Sequence, residues 1–113
     1  MSRHSPTTSL RQILVHSREA VEFLENKDRD QLDQDRVLNL ALTRLIEIIG
    51  ETARRVPIDI QTSHPELPWQ QMIGARNRLI HGYDNVDFDI LWVIIKQDLP
   101  ILISQLERIL KEE

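Results

Sequence analysis

Residues 90–95 read ILWVII, six apolar side chains in a row. Successive residues of an α-helix turn by about 100°, so a run of six covers the whole circumference. A helix that met only its own core would show one apolar stripe and one polar face. This segment therefore either lies at the centre of a bundle or has its second face covered by another chain. For a chain of 113 residues, a homodimer is the expectation taken here. The run falls far short of the roughly 20 residues that span a bilayer. The opening "MSRHSPTTSL" has no apolar stretch of the kind a secretory signal carries. A soluble, cytoplasmic chain with no membrane partner is expected.

The rest of the chain is patterned for helices. Only 3 glycines and 5 prolines leave few places to turn. Leu10, Ile13, Leu14, Val21 and Leu24 give a stripe at helical spacing over about Ser9–Glu25, with the hydroxyls of residues 7–9 on offer as caps. Polar "NKDRDQLDQD" reads as a connection. A second helix is expected over about Asp33–Val56, ended by Pro57, and "IDIQTSHPELP" as loop or one short turn. A third begins at Pro68 or Trp69, where a proline is favourable, and ends at Gly82. The fourth runs from about Asp87 to Lys111. Pro100 lies inside it and predicts a kink near residues 96–99, because proline removes one hydrogen bond and clashes with the preceding turn. The expected fold is all-α, an up-and-down bundle of four to five helices forming one domain over residues 1–113, with the last long helix kinked at a proline.

Charge and composition exclude several functions. A net charge of −4 argues against a protein that coats nucleic acid by general electrostatics. It leaves room for a nucleic-acid enzyme with a few local arginines. There is no cysteine, and with only 4 histidines no metal site or cofactor is expected.

Against this background "GARNRLIHGYDNVD", residues 74–87, stands out. It places Arg76, His81 and Tyr83 within eight positions. On a continued helix Arg76 and Tyr83 would share a side, Asn77 and His81 would share a face, and Arg76 and His81 would sit roughly 140° apart. Histidine trades protons near neutral pH. Arginine offers a planar, permanently charged fork for phosphate. Together, without metal, they suit cleavage of RNA by its own 2′-hydroxyl, His81 moving the proton and Arg76 stabilising phosphate charge. DNA lacks that hydroxyl and is not an expected substrate. The residues also admit a plainer account. His81 can cap a helix end, Arg76 can pair with Glu47 or Glu51, and Tyr83 can be a half-buried packing ring.

The pattern Arg76-x4-His81-x-Tyr83, with Asn77 directly after the arginine, resembles the signature of HEPN-domain proteins, most of all the HepT-like ribonuclease toxins. "RLIEIIGET" (44–52), "HPELPWQQMIGARNRLIHGYDNVD" (64–87) and "LWVIIKQDLPIL" (91–102) resemble that family in order and spacing. The resemblance implies a homodimeric helical bundle that cuts RNA, such as tRNA or mRNA, without metal, at a site where two motif helices meet. It assigns catalysis to Arg76 and His81, and supporting roles to Asn77 and Glu51. It makes Tyr83 the residue to which a nucleotidyltransferase (MNT-type) antitoxin attaches AMP, in a HEPN/MNT toxin–antitoxin pair of type II or VII. Ala75 stands where a methionine is frequent, and Asp84 where an aromatic is frequent.

Other residues carry less. Trp69 and Trp92 could stack a base but lie in apolar helical registers, which favours packing. Arg54, Arg55 and Arg78 could add phosphate contacts or simply solubilise the surface. A different class of function, a non-catalytic module that docks onto a nucleotidyltransferase, fits the acidic balance and Asp84.

Overall fold

The computed structural model describes residues 5–81 and 85–111. It is an all-α bundle with one two-stranded ribbon. Helix α1 spans Pro6–Leu24, starting three residues before the stripe suggests. Ser5 is its cap, its Oγ accepting from the Thr8 N–H at 3.1 Å, and Pro6 sits in the first turn, where its missing N–H costs nothing. The expected connection contains a short helix, α2, Arg29–Gln34. Asp28 and Gln31 form a reciprocal capping box: Asp28 Oδ1 accepts from the Gln31 N–H at 2.9 Å, and Gln31 Oε1 from the Asp28 N–H at 2.7 Å.

The long helix α3 spans Arg36–Arg55, starting three residues after the expected Asp33, and is capped by Asp35. After Pro57 comes α4, Ile58–Ser63, the single short turn of the sequence reading. Helix α5 spans Trp69–Leu79. It stops before Gly82, which lies outside the described residues. The chain instead enters a strand, β1 (Ile80–His81), paired antiparallel with β2 (Asn85–Val86), so that Ile80 faces Val86 and His81 faces Asn85. Helical-wheel geometry therefore does not reach His81. It projects from the ribbon, and Asn77 and His81 do not share a helix face.

The last long segment is continuous but not uniform. Helix α6 (Phe88–Val93) passes through a π turn (Ile94–Asp98) into α7 (Leu99–Lys111). The Leu99 N–H reaches back to the Ile94 carbonyl, the wider hydrogen bond of a π turn. The departure from α geometry lies just before Pro100, where a regular helix would bring the ring against a carbonyl.

Helix α3 packs against both α1 and α5, and α1 packs in turn against α7. One cluster fills the space between them, with Ile13, Leu24, Leu42, Leu79, Leu91, Ile95 and Leu106 fully enclosed. Within ILWVII, Leu91, Ile94 and Ile95 are buried and Ile90 and Trp92 half-buried. Most of this run is covered by its own chain, and Val93 is left exposed. Trp69 is buried and its indole N–H donates to the His64 carbonyl at 3.0 Å, so it is a packing residue with its polar atom satisfied. Lys96 Nζ lies 5.1 Å from the centre of the Trp92 ring. No helix of the described residues is long and apolar enough to cross a membrane.

Among the described residues, Ser17 Oγ and Gln105 Oε1 are buried polar atoms without a hydrogen-bond partner. Ser17, on α1, is fully enclosed. An unpaired buried hydroxyl is destabilising, and alanine is the better helix former. Ser17→Ala is expected to raise the free energy of unfolding by about 1 kcal/mol, read as a higher urea midpoint with an unchanged slope.

Candidate active site

Glycine at position 50 sets how closely α3 and α5 approach. A Cβ built there would lie 2.7 Å from the Met72 carbonyl oxygen, closer than any real side chain sits. Only a residue without a side chain lets the two backbones meet at this point. Three residues back along α3 is Glu47, and four residues on along α5 is Arg76. The helices thus run in opposite directions, and these two side chains face each other one turn from the contact.

They form an ion pair. Arg76 Nε donates to Glu47 Oε2 at 3.1 Å. Arg44 Nη1 donates to the other carboxylate oxygen, Oε1, at 3.3 Å. Glu51 Oε2 lies 3.6 Å from the same Arg44 nitrogen, a looser contact. Of the pair, Glu47 is the more enclosed, 20% exposed against 57% for Arg76. A hollow of about 120 Å³ lies along this seam, lined by Ile46, Glu47, Gly50, Glu51, Arg54, Ile73 and Arg76.

His81 stands beyond the end of α5, 57% exposed, its Nε2 3.9 Å from Asp87 Oδ2. That is ion-pair range for a protonated ring and too long for a hydrogen bond. Asp87 holds the local structure together. Its backbone N–H donates to the Leu79 carbonyl at 2.8 Å, and its Oδ1 caps α6 by accepting from Asp89 and Ile90. The sequence marks Asp87 as a helix start. Its place beside His81 follows from the ribbon and is not written in spacing.

The remaining candidates are distributed as follows. Asn77 is exposed, next to Arg76 on α5. Glu51 shares the hollow with Arg76, but the carboxylate bonded to Arg76 is that of Glu47. Arg54 lines the hollow, Arg55 is exposed on the last turn of α3, and Arg78 flanks a separate apolar crevice beside Met72 and Leu99. Tyr83 and Asp84 lie outside the described residues. Among the described residues, no group of three or more His, Asp or Glu side chains is placed to hold a metal ion. Chemically, the arrangement offers a half-exposed guanidinium held through Nε and a solvent-accessible imidazole just after the same helix.

Comparison with known proteins gives a consistent family. A family model described as "HepT-like: Ribonuclease HepT-like" matches residues 13–109. A protein of Methanocaldococcus jannaschii named "Putative RNase MJ1380" is 34% identical over 107 residues, covering 95% of this chain and 98% of the relative. "Probable ribonuclease HepT" of Thermococcus cleftensis is 37% identical over 97 residues, covering 82% and 88%. "Putative RNase TTE0752" of Caldanaerobacter subterraneus is 32% identical over 109 residues, covering 96% and 97%. No solved structure matches the chain. A match of this extent, with Arg76 and His81 exposed at and just past the end of α5, makes the chain a member of the HepT-like ribonuclease family.

Proposed function

We propose that this chain is an endoribonuclease that works without a metal ion and acts as the toxin of a HEPN/MNT pair in the cytoplasm. The observation that carries this is the exposure of Arg76 and His81, each more than half open to solvent, in a chain of a ribonuclease family. The 2′-hydroxyl oxygen of RNA attacks the adjacent phosphorus and the bond to the 5′-oxygen breaks. His81 takes the hydroxyl proton or supplies one to the departing oxygen. Arg76 donates its terminal N–H groups to the phosphate oxygens as negative charge builds on them. The products are a 2′,3′-cyclic phosphate and a 5′-hydroxyl.

A homodimer is part of the proposal. Its support is the open face of α3, where Val37 and Leu40 are 77% and 51% exposed at helical spacing from Arg44 and Glu47. Asn77 and Glu51 are assigned supporting roles. AMP on Tyr83, placed there by a nucleotidyltransferase antitoxin, would add bulk and negative charge and so exclude RNA.

The test is incubation of the protein in EDTA with labelled tRNA and a matched DNA, beside His81→Ala. Loss of the proton-transfer group is expected to slow cleavage by roughly 10²–10⁴-fold, with DNA untouched and cyclic phosphate on the RNA product. If unmodified dimer leaves RNA intact, the chain is instead a module that docks onto the nucleotidyltransferase.

A further inference from the structure

The ion pair between Arg76 and Glu47 reads at first as an alternative to catalysis, a surface pair and no more. Its geometry says otherwise. Glu47 engages Nε, the nitrogen on the stem side of the guanidinium. A carboxylate on the terminal fork would occupy both Nη groups, whereas one on Nε leaves that end-on edge for a phosphate. Held at Nε, the group loses rotation about its stem while Nη1 and Nη2 stay available. Glu47 is itself fixed from two directions. Its other oxygen is bonded to Arg44, and its backbone is fixed by the close contact of Gly50 with Met72 one turn away. It is also the least exposed of the four charged side chains in the network.

From this we propose that Glu47 is a positioning residue for RNA cleavage. It holds the Arg76 guanidinium in one plane, so that its terminal N–H groups meet the phosphate oxygens without reorganisation. The inference rests on the ribonuclease reading above. Glu47 touches neither RNA nor the reacting atoms and acts through Arg76. Arg44 serves in turn to offset the carboxylate charge, which would otherwise stand near an incoming phosphate.

The experiment compares Glu47→Ala and Glu47→Gln with the wild type under single-turnover and steady-state conditions, at a temperature where all three are folded by circular dichroism. Glutamine keeps an oxygen that can accept from Nε, whereas alanine removes it. Loss of orientation in the alanine variant is expected to lower kcat roughly 10- to 100-fold, with KM changed less than about 3-fold. Glu47→Gln is expected to stay within about 3-fold of the wild type. In a nitrogen–proton correlation spectrum, the Arg76 Nε–H signal should exchange slowly in the wild type and in Glu47→Gln, and fast in Glu47→Ala. A folded Glu47→Ala protein that cuts RNA at the wild-type rate overturns the inference, since a merely structural pair predicts that result. Equal impairment of both variants overturns it too. A wild type that leaves RNA intact removes the ribonuclease reading itself, a separate failure seen before any variant is compared.

Discussion

Arg76→Lys lowers kcat/KM on RNA by roughly 10²–10³-fold, the size of effect seen when one preorganised donor to a developing oxyanion is lost. The substitution keeps the positive charge, so a purely Coulombic role would survive it. It removes two other things. Lysine has no planar fork to match two phosphate oxygens, and no Nε–H to donate to Glu47. Arg76 is 57% exposed, and exposed pairs contribute little to stability. The melting temperature is therefore expected to move by no more than about 2–4 °C. Kinetics and a thermal melt on the same sample separate the outcomes. A lysine variant with near wild-type kcat/KM would make Arg76 a simple source of positive potential.

Gly50→Val is expected to destabilise the fold by about 3 kcal/mol, the upper end for overpacking a close contact. Even the first carbon of the side chain would stand 2.7 Å from the Met72 carbonyl oxygen. That oxygen belongs to backbone within α5 and cannot swing aside, so the two helices must part. Gly50→Ala meets the same first carbon but regains about 1 kcal/mol of helix propensity, so its net cost is smaller. Both should slow cleavage even where folded, because separating α3 from α5 draws Glu47 away from Arg76. Urea denaturation gives the first effect. If Gly50→Val melts like the wild type, the close approach of α3 and α5 does not govern stability.

Where side-chain spacing decided the structure, the sequence was legible. The stripe of α1 puts Leu10, Ile13, Leu14 and Leu24 in the core, and Pro57 and Pro68 mark the breaks. Short elements were missed because they have too few residues to display a period. Helix α2 has six, and its only signal was Asp28 followed three later by Gln31. The strands β1 and β2 have two each, and nothing in "LIHG" announces that α5 stops at Leu79.

The site divides the same way. Arg76 and His81 are candidates that residue type and proximity alone nominate. Which acid meets Arg76 is not legible from them, since Glu47 and Glu51 lie four apart on one face of α3 and offer it equally in sequence. The choice is made by the register of α3 against α5, a tertiary quantity that Gly50 fixes. Asp87 was readable as a cap, whereas its nearness to His81 depends on a ribbon that brings residue 81 back beside residue 85.

The π turn governs where the final segment points. Leu91, Ile95, Leu99, Leu102, Leu106 and Leu110 are all buried, at intervals of four, four, three, four and four. In a regular helix each interval of four advances the angular phase by about 40°, and the interval of three sets it back by about 60°. Over the whole series the line of side chains would drift by roughly 100° and its far end would swing out of the core. A π turn closes on the fifth residue instead of the fourth, so it takes up one residue, close to that same angle. Six side chains across α6, the π turn and α7 thereby keep a single bearing, and two α-helices joined by a wider turn present the bundle with one continuous seam.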